Sequence, residues 1–162
     1  ITSGVLPLIS VQILWTNVIS ESILGSALAA EPSSDYVMDS APVKTSEPLI
    51  NKELQRQIIV KGTKIGLTTF GIFEGSLLFG VSLNKARTLA FSNLICSQFL
   101  NLYVCRGNKK IRNKYMDIST TASMAMLLGI IYIPFMSSYF GTEALTLLDW
   151  GGVGGMLLLG RK

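Results

Sequence analysis

Histidine is absent from the 162 residues, cysteine occurs only twice, and charged residues make up 15% of the chain. The missing histidine removes Ser-His-Asp and Cys-His triads, histidine general bases and histidine-rich metal sites. Cys96 and Cys105 stand in no C-x-x-C pair and no zinc-ligand spacing, so they read as small, membrane-compatible residues rather than redox or metal groups. So few charges, with 49% hydrophobic residues and a mean hydropathy of +0.46, exclude a disordered chain and give no reason to expect a nucleic-acid partner. The first apolar stretch has neither a basic region before it nor a small-residue cleavage site, so it does not read as a signal peptide. The chain opens on Ile1, which suggests part of something longer.

What is present is a series of apolar runs, and about 20 apolar residues suffice for a helix to cross a bilayer. Five candidate spans lie at residues 8–30, 65–83, 88–105, 118–136 and 144–160. The predicted fold is therefore all-α, a multi-pass transmembrane bundle of five helices. The connection over residues 31–56 carries three prolines and several acids and reads as a solvated loop, whereas LNKAR, RGNKKIRNKYMD and SSYFGTE are tight links. Short cytoplasmic loops retain Lys and Arg. With the 31–56 loop on the cytoplasmic side, twelve of the 14 basic residues fall inside and only Lys85 and Arg87 outside. The first helix then enters from the outer face and the C-terminus is cytoplasmic. RGNKKIRNKY reads as a cytoplasmic anchor against the lipid bilayer. The GGVGG run is no phosphate loop, because no Lys-Ser/Thr pair follows it. Its Gly151 and Gly155, with Gly71 and Gly75, have the small-xxx-small spacing of close helix packing. Trp15 and Trp150 suit packing or interfacial positions.

Chemistry concentrates in the first span, where QILWTNVISESILGSALAAEP places Asn17, Ser20, Glu21 and Ser22 near the membrane centre. A carboxylate there costs about 2.5–3.5 kcal/mol on insertion scales, so Glu21 needs a cation, a proton or a polar cavity. Asn17 and Glu21 are four apart and share a helix face. Such oxygen donors suit a hard cation. The N-V-I-S-E-S run is poor in helix formers, and an unwound turn there would add backbone carbonyls as ligands. Glu74 is a second intramembrane acid, near the middle of the 65–83 span and expected to meet Gln98 or Asn101, or to face a water-filled path. Asn93, Gln98 and Asn101 in the third span can equally serve as interhelical hydrogen-bond partners.

LPLISVQILWTNVISESILGSALAAEP resembles the sixth membrane helix of P-type cation-transporting ATPases, the family of the sarcoplasmic reticulum calcium pump and its bacterial counterparts. YVMDSAPVKTSEPLI is similar to that family's cytoplasmic loop, matching at Met38, Pro42, Lys44, Glu47, Pro48, Leu49 and Ile50, with Ala41 in place of a first proline. TLAFSNLICSQFLNLYVCRG resembles the eighth helix and FGTEALTLLDW the turn into the tenth. The resemblance implies that Asn17, Ser20, Glu21 and Gln98 are cation ligands, with Glu21 standing where Asp is usual, Ser20 where Thr is usual and Gln98 where the calcium pump has Glu. Ser22 stands where many members have Gly. It implies no ligand role for Glu74. It makes Lys44, Glu47 and Pro48 part of a loop that couples the membrane region to the phosphorylation domain.

The transported ion expected from this resemblance is Ca2+, with Na+, K+ or Mn2+ as alternatives. The family's D-K-T-G-T phosphorylation motif does not occur in these 162 residues. ATP and Mg2+ would thus be handled by nucleotide-binding, phosphorylation and actuator domains elsewhere in the same pump, and the implied membrane is a prokaryotic plasma membrane. Two other readings stand beside this one. One is a stand-alone accessory or degenerate membrane module; the other is a secondary transporter using Glu21 and Glu74 as a proton relay without ATP.

Overall fold

The apolar runs fold as helices because a backbone taken out of water must satisfy its own N–H and C=O groups. The computed structural model describes residues 5–31, 50–105 and 113–161, apart from the side chains at positions 20, 21 and 161. All the regular elements among them are helical, in agreement with the all-α expectation. α1 (Ser10–Asn17) runs into a π-helix (Val18–Leu24) and then α2 (Gly25–Ala29); α3 (Lys52–Leu78), α4 (Leu83–Cys105), α5 (Lys114–Tyr132), α6 (Pro134–Phe140) and α7 (Leu147–Arg161) follow.

α4 is the centre of the bundle. Twelve of its 23 residues are buried, Phe91 and Ile95 completely. α3 and α7 pack against it on one side, and the π-helix and α5 on the other. These contacts combine close packing of side chains with interhelical hydrogen bonds. One of these bonds runs from Asn93 Nδ2 to Thr69 Oγ1, 3.0 Å and buried, and it fixes the register of the α3–α4 hairpin.

Several boundaries differ from the sequence expectation. By length and hydropathy α4 alone qualifies as a crossing helix; α5 and α6 qualify only as a pair bent by 86°, and α7 is apolar but shorter. Among the described residues, only one or two of the five expected spans therefore meet those criteria. The second span starts well before residue 65 and stops short of 83, because Asn51 Oδ1 accepts from Leu54 N at 2.8 Å and starts α3 at Lys52. The last residues of the expected 31–56 loop are thus helical, while residues 32–49 lie outside the described residues. LNKAR is no link but the first turns of α4; the connection is a short turn in which Gly80 takes φ +76, a conformation open to glycine.

The fourth span ends at Tyr132 rather than at 136. The cause is a proline, since Pro134 disfavours helical backbone at the residue before it. Ile133 accordingly sits at ψ 119, and Pro134 opens the separate α6, which ends at left-handed Gly141. The expected glycine packing is formed only in part. A Cβ on Gly71 would meet Met156 Cε at 3.4 Å, but Gly75, Gly151 and Gly155 have no such neighbour within 4 Å among the described residues.

The end of the bundle remote from Glu31 and Asn51 is densely cross-linked. Lys85 Nζ pairs with Asp149 Oδ2 at 2.8 Å, and Ser82 Oγ donates to Glu143 Oε2 at 2.7 Å. Thr142 Oγ1 donates to Ile130 O at 2.8 Å, closing the α5–α6 corner. Tyr132 OH donates to Leu145 O and accepts from Trp150 Nε1, so the tryptophan anchors this end through its polar edge. Gln12, fully buried, accepts from Ile9 N through Oε1 and donates from Nε2 to Phe140 O, pinning α1 to α6.

Candidate cation-binding site

The segment expected to carry the ligands is the one place among the described residues where the helix changes type. Thr16 Oγ1 donates back to Gln12 O at 2.8 Å, a bond that bends helices, and the next turn widens into the π-helix Val18–Leu24. β-branched Val18, Ile19 and Ile23 and the serines at 20 and 22 give this stretch little α-helical preference. The expectation of an unwound turn is therefore corrected to a widened one that stays wound. π-turns are rare, displace backbone carbonyls from the regular ladder and occur often at functional sites.

The widened turn keeps Ile19 and Leu24 buried in the bundle while Val18 and Ser22 face outward. Asn17, the last residue of α1, is exposed. The backbone of Ser20 and Glu21 lies in the π-helix; their side chains, like Lys44, Glu47 and Pro48 as a whole, lie outside the described residues. The π-helix packs directly on α4, which carries Gln98. Arg87 Nε donates to Leu6 O at 3.1 Å, tying the start of α4 to the stretch before α1. Gln98 is half-buried.

Glu74 does not join this group. The Asn93–Thr69 bond sets an antiparallel register in which Glu74 lies opposite Thr88, whereas Gln98 lies opposite Lys64. At about 1.5 Å per residue that is roughly 15 Å along the bundle. Because α3 ends at Leu78, Glu74 is near the helix end and not at its middle. Asn101 does not meet Glu74 either; its Oδ1 lies 3.8 Å from Cys105 Sγ. Among the described residues, no three His, Cys, Asp or Glu side chains form a group that could hold a metal.

Two polar positions that matter were not singled out in the sequence. Asn113, 2% exposed, caps α5 through Oδ1 to Met116 N at 3.1 Å, and its Nδ2 donates to Ala27 O at 3.1 Å and Glu31 Oε2 at 2.7 Å. It clamps the end of the π-bearing segment onto α5. Its signal was the Asn just before an apolar run, obscured by the basic cluster around it. The second is Ser92, whose buried Oγ, like the Oδ1 of the expected hydrogen-bond partner Asn93 beside it, has no hydrogen-bond partner among the described residues.

The described residues form an all-helical bundle whose π-widened first segment packs against its most buried helix. The family model "Cation transporting ATPase, C-terminus" matches residues 5–160, and the chain belongs to that family. It is 28% identical to the calcium-transporting ATPase of Bacillus subtilis over 160 residues, covering 93% of this chain and 18% of that protein. It is 30% identical to calcium-transporting ATPase 1 of Bacillus cereus, covering 91% and 19%. To the cation-transporting ATPase pma1 of a Synechocystis strain it is 28% identical, covering 90% and 18%. The chain thus spans less than a fifth of the length of these relatives.

Proposed function

We propose that this chain is the membrane-embedded C-terminal part of an ATP-driven cation pump, in which Asn17, Ser20, Glu21 and Gln98 form one wall of the transport site. The observation that carries the reading is the π-helix at the ligand-bearing turn, packed on the helix that holds Gln98. A widened turn offers backbone carbonyls beside the side-chain oxygens, which is the donor set a hard cation requires. Ca2+ is the ion that donor set suits, and two of the relatives quoted are named calcium-transporting. Glu21 supplies charge and Gln98 an uncharged oxygen, so the wall favours a single divalent ion.

In this reading residues 31–56 and the C-terminus face the cytoplasm of a prokaryotic cell. Lys44, Glu47 and Pro48 couple the bundle to the phosphorylation domain elsewhere in the pump. ATP and Mg2+ act there and not in this bundle. The test is ion-dependent phosphorylation from ATP in the full-length pump. Glu21→Ala is expected to abolish it and Cys105→Ser to leave it nearly unchanged. Normal ion affinity in Glu21→Ala would refute the ligand assignment.

A further inference from the structure

We propose that the cleft between α3, α4 and α7 holds an anionic phospholipid, with acyl chain inside and phosphate between Lys61 and Lys64. The lipid comes from the leaflet on the Asn51 side of the bundle; that this leaflet is cytoplasmic rests on the orientation proposed above. The cleft encloses about 380 Å³ and continues into a second hollow of about 300 Å³, the two sharing Lys61 and Gly160. Both volumes lie in the range of small-ligand pockets, about 300–1,000 Å³.

The walls of the larger hollow are mainly apolar. Ile65, Leu100, Val104 and Leu157 line it directly. Beside them stand Thr68, Ser97, Asn101 and Tyr103: Thr68 Oγ1 donates to Lys64 O and Ile65 O, Tyr103 OH donates to Asp117 Oδ1 at 3.2 Å, and Asn101 Oδ1 lies 3.8 Å from Cys105 Sγ. Charge collects at the mouth, where Arg56, Lys61 and Lys64 face a single carboxylate, Glu53, which already accepts from Gln57 Nε2. Among the described residues none of these three cations has an ion-pair partner; the pair there is Lys85–Asp149 at the opposite end.

An apolar interior with a cationic rim matches a phosphate-bearing amphiphile and not a water-soluble anion. Near a membrane surface each Lys or Arg strengthens binding to anionic lipid, and two together amount to roughly 30-fold.

The experiment uses the full-length pump in phosphatidylcholine bilayers containing a minor fraction of phosphatidylglycerol, with retained lipid counted by native mass spectrometry. One phosphatidylglycerol per pump is expected to survive delipidation. Lys61→Ala/Lys64→Ala is expected to weaken its retention roughly 30-fold, while Lys61→Arg/Lys64→Arg keeps it. Ser97→Phe, which fills the hollow, should expel it, and Lys85→Ala should change nothing. Equal retention of phosphatidylcholine, or indifference to the lysine pair in a variant that still forms phosphoenzyme, overturns the proposal. So does a photo-crosslink from position 101 that captures another part of the pump instead of lipid. Glu21→Gln is expected to leave lipid retention intact while removing ion dependence, so the two readings fail separately. Phosphatidylglycerol supplied to one leaflet of asymmetric vesicles separates an error of orientation from an error of site.

Discussion

Replacing Asn113 probes how the π-bearing segment is held. Its Oδ1 caps α5, and its Nδ2 satisfies Ala27 O near the end of α2 together with the Glu31 carboxylate, all with the side chain 2% exposed. Asn113→Ser keeps a capping oxygen but removes both donations; Asn113→Ala removes everything. Loss of an N-cap costs about 1 kcal/mol. Leaving a buried acceptor without its donor costs about 1–3 kcal/mol. The expected order of stability is therefore Asn, then Ser lower by about 2 kcal/mol, then Ala lower by about 3 kcal/mol in total. Denaturant unfolding of the purified full-length pump, with an apparent ion affinity for each variant, measures both consequences. Because the clamp lies one helical segment from Glu21, ion affinity should fall with the Ser substitution as well as with Ala. Ser and Asn variants of equal stability and equal affinity would refute the clamp.

Other outcomes follow from single contacts. Thr142→Val removes the Thr142–Ile130 bond at the α5–α6 corner and should cost about 1–2 kcal/mol in unfolding free energy, an effect Thr142→Ser largely restores. Lys85→Ala, which breaks a pair at the bundle rim, should change stability by at most about 1 kcal/mol, and raising the salt concentration should shrink even that. Asn93→Leu leaves Thr69 Oγ1 without its donor but also removes an orphaned carbonyl oxygen, so it should cost less than Thr69→Val, which leaves both ends of the Asn93 amide unpaired. Gly71→Ala should be tolerated because the added methyl meets the flexible end of Met156, while Gly71→Leu should part α3 from α7 and lower the unfolding midpoint.

The order of the helices, the apolar character of the chain and the family were legible from residues alone. Hydropathy runs and the N-V-I-S-E-S and EPLI motifs are local properties, and local properties survive without knowledge of the fold. Glu21 could be singled out because the cost of a carboxylate among apolar residues depends on its immediate neighbours in sequence. Helix ends could not be placed as well. Asn51 starts α3 and Pro134 breaks the fourth segment through backbone geometry that an apolar average smooths over.

The rest was decided in three dimensions. Whether Glu74 meets Gln98 depends on the register of α3 against α4, and one buried bond, Asn93 to Thr69, sets that register and places them roughly 15 Å apart. Whether a G-x-x-x-G pair packs depends on which face the partner helix presents, and of the four glycines in such pairs only Gly71 finds one among the described residues. The π-turn needs both levels. Weak α preference at Val18–Leu24 permits it, but the burial of Ile19 and Leu24 against the bundle selects it, since packing supplies the energy that the local sequence lacks.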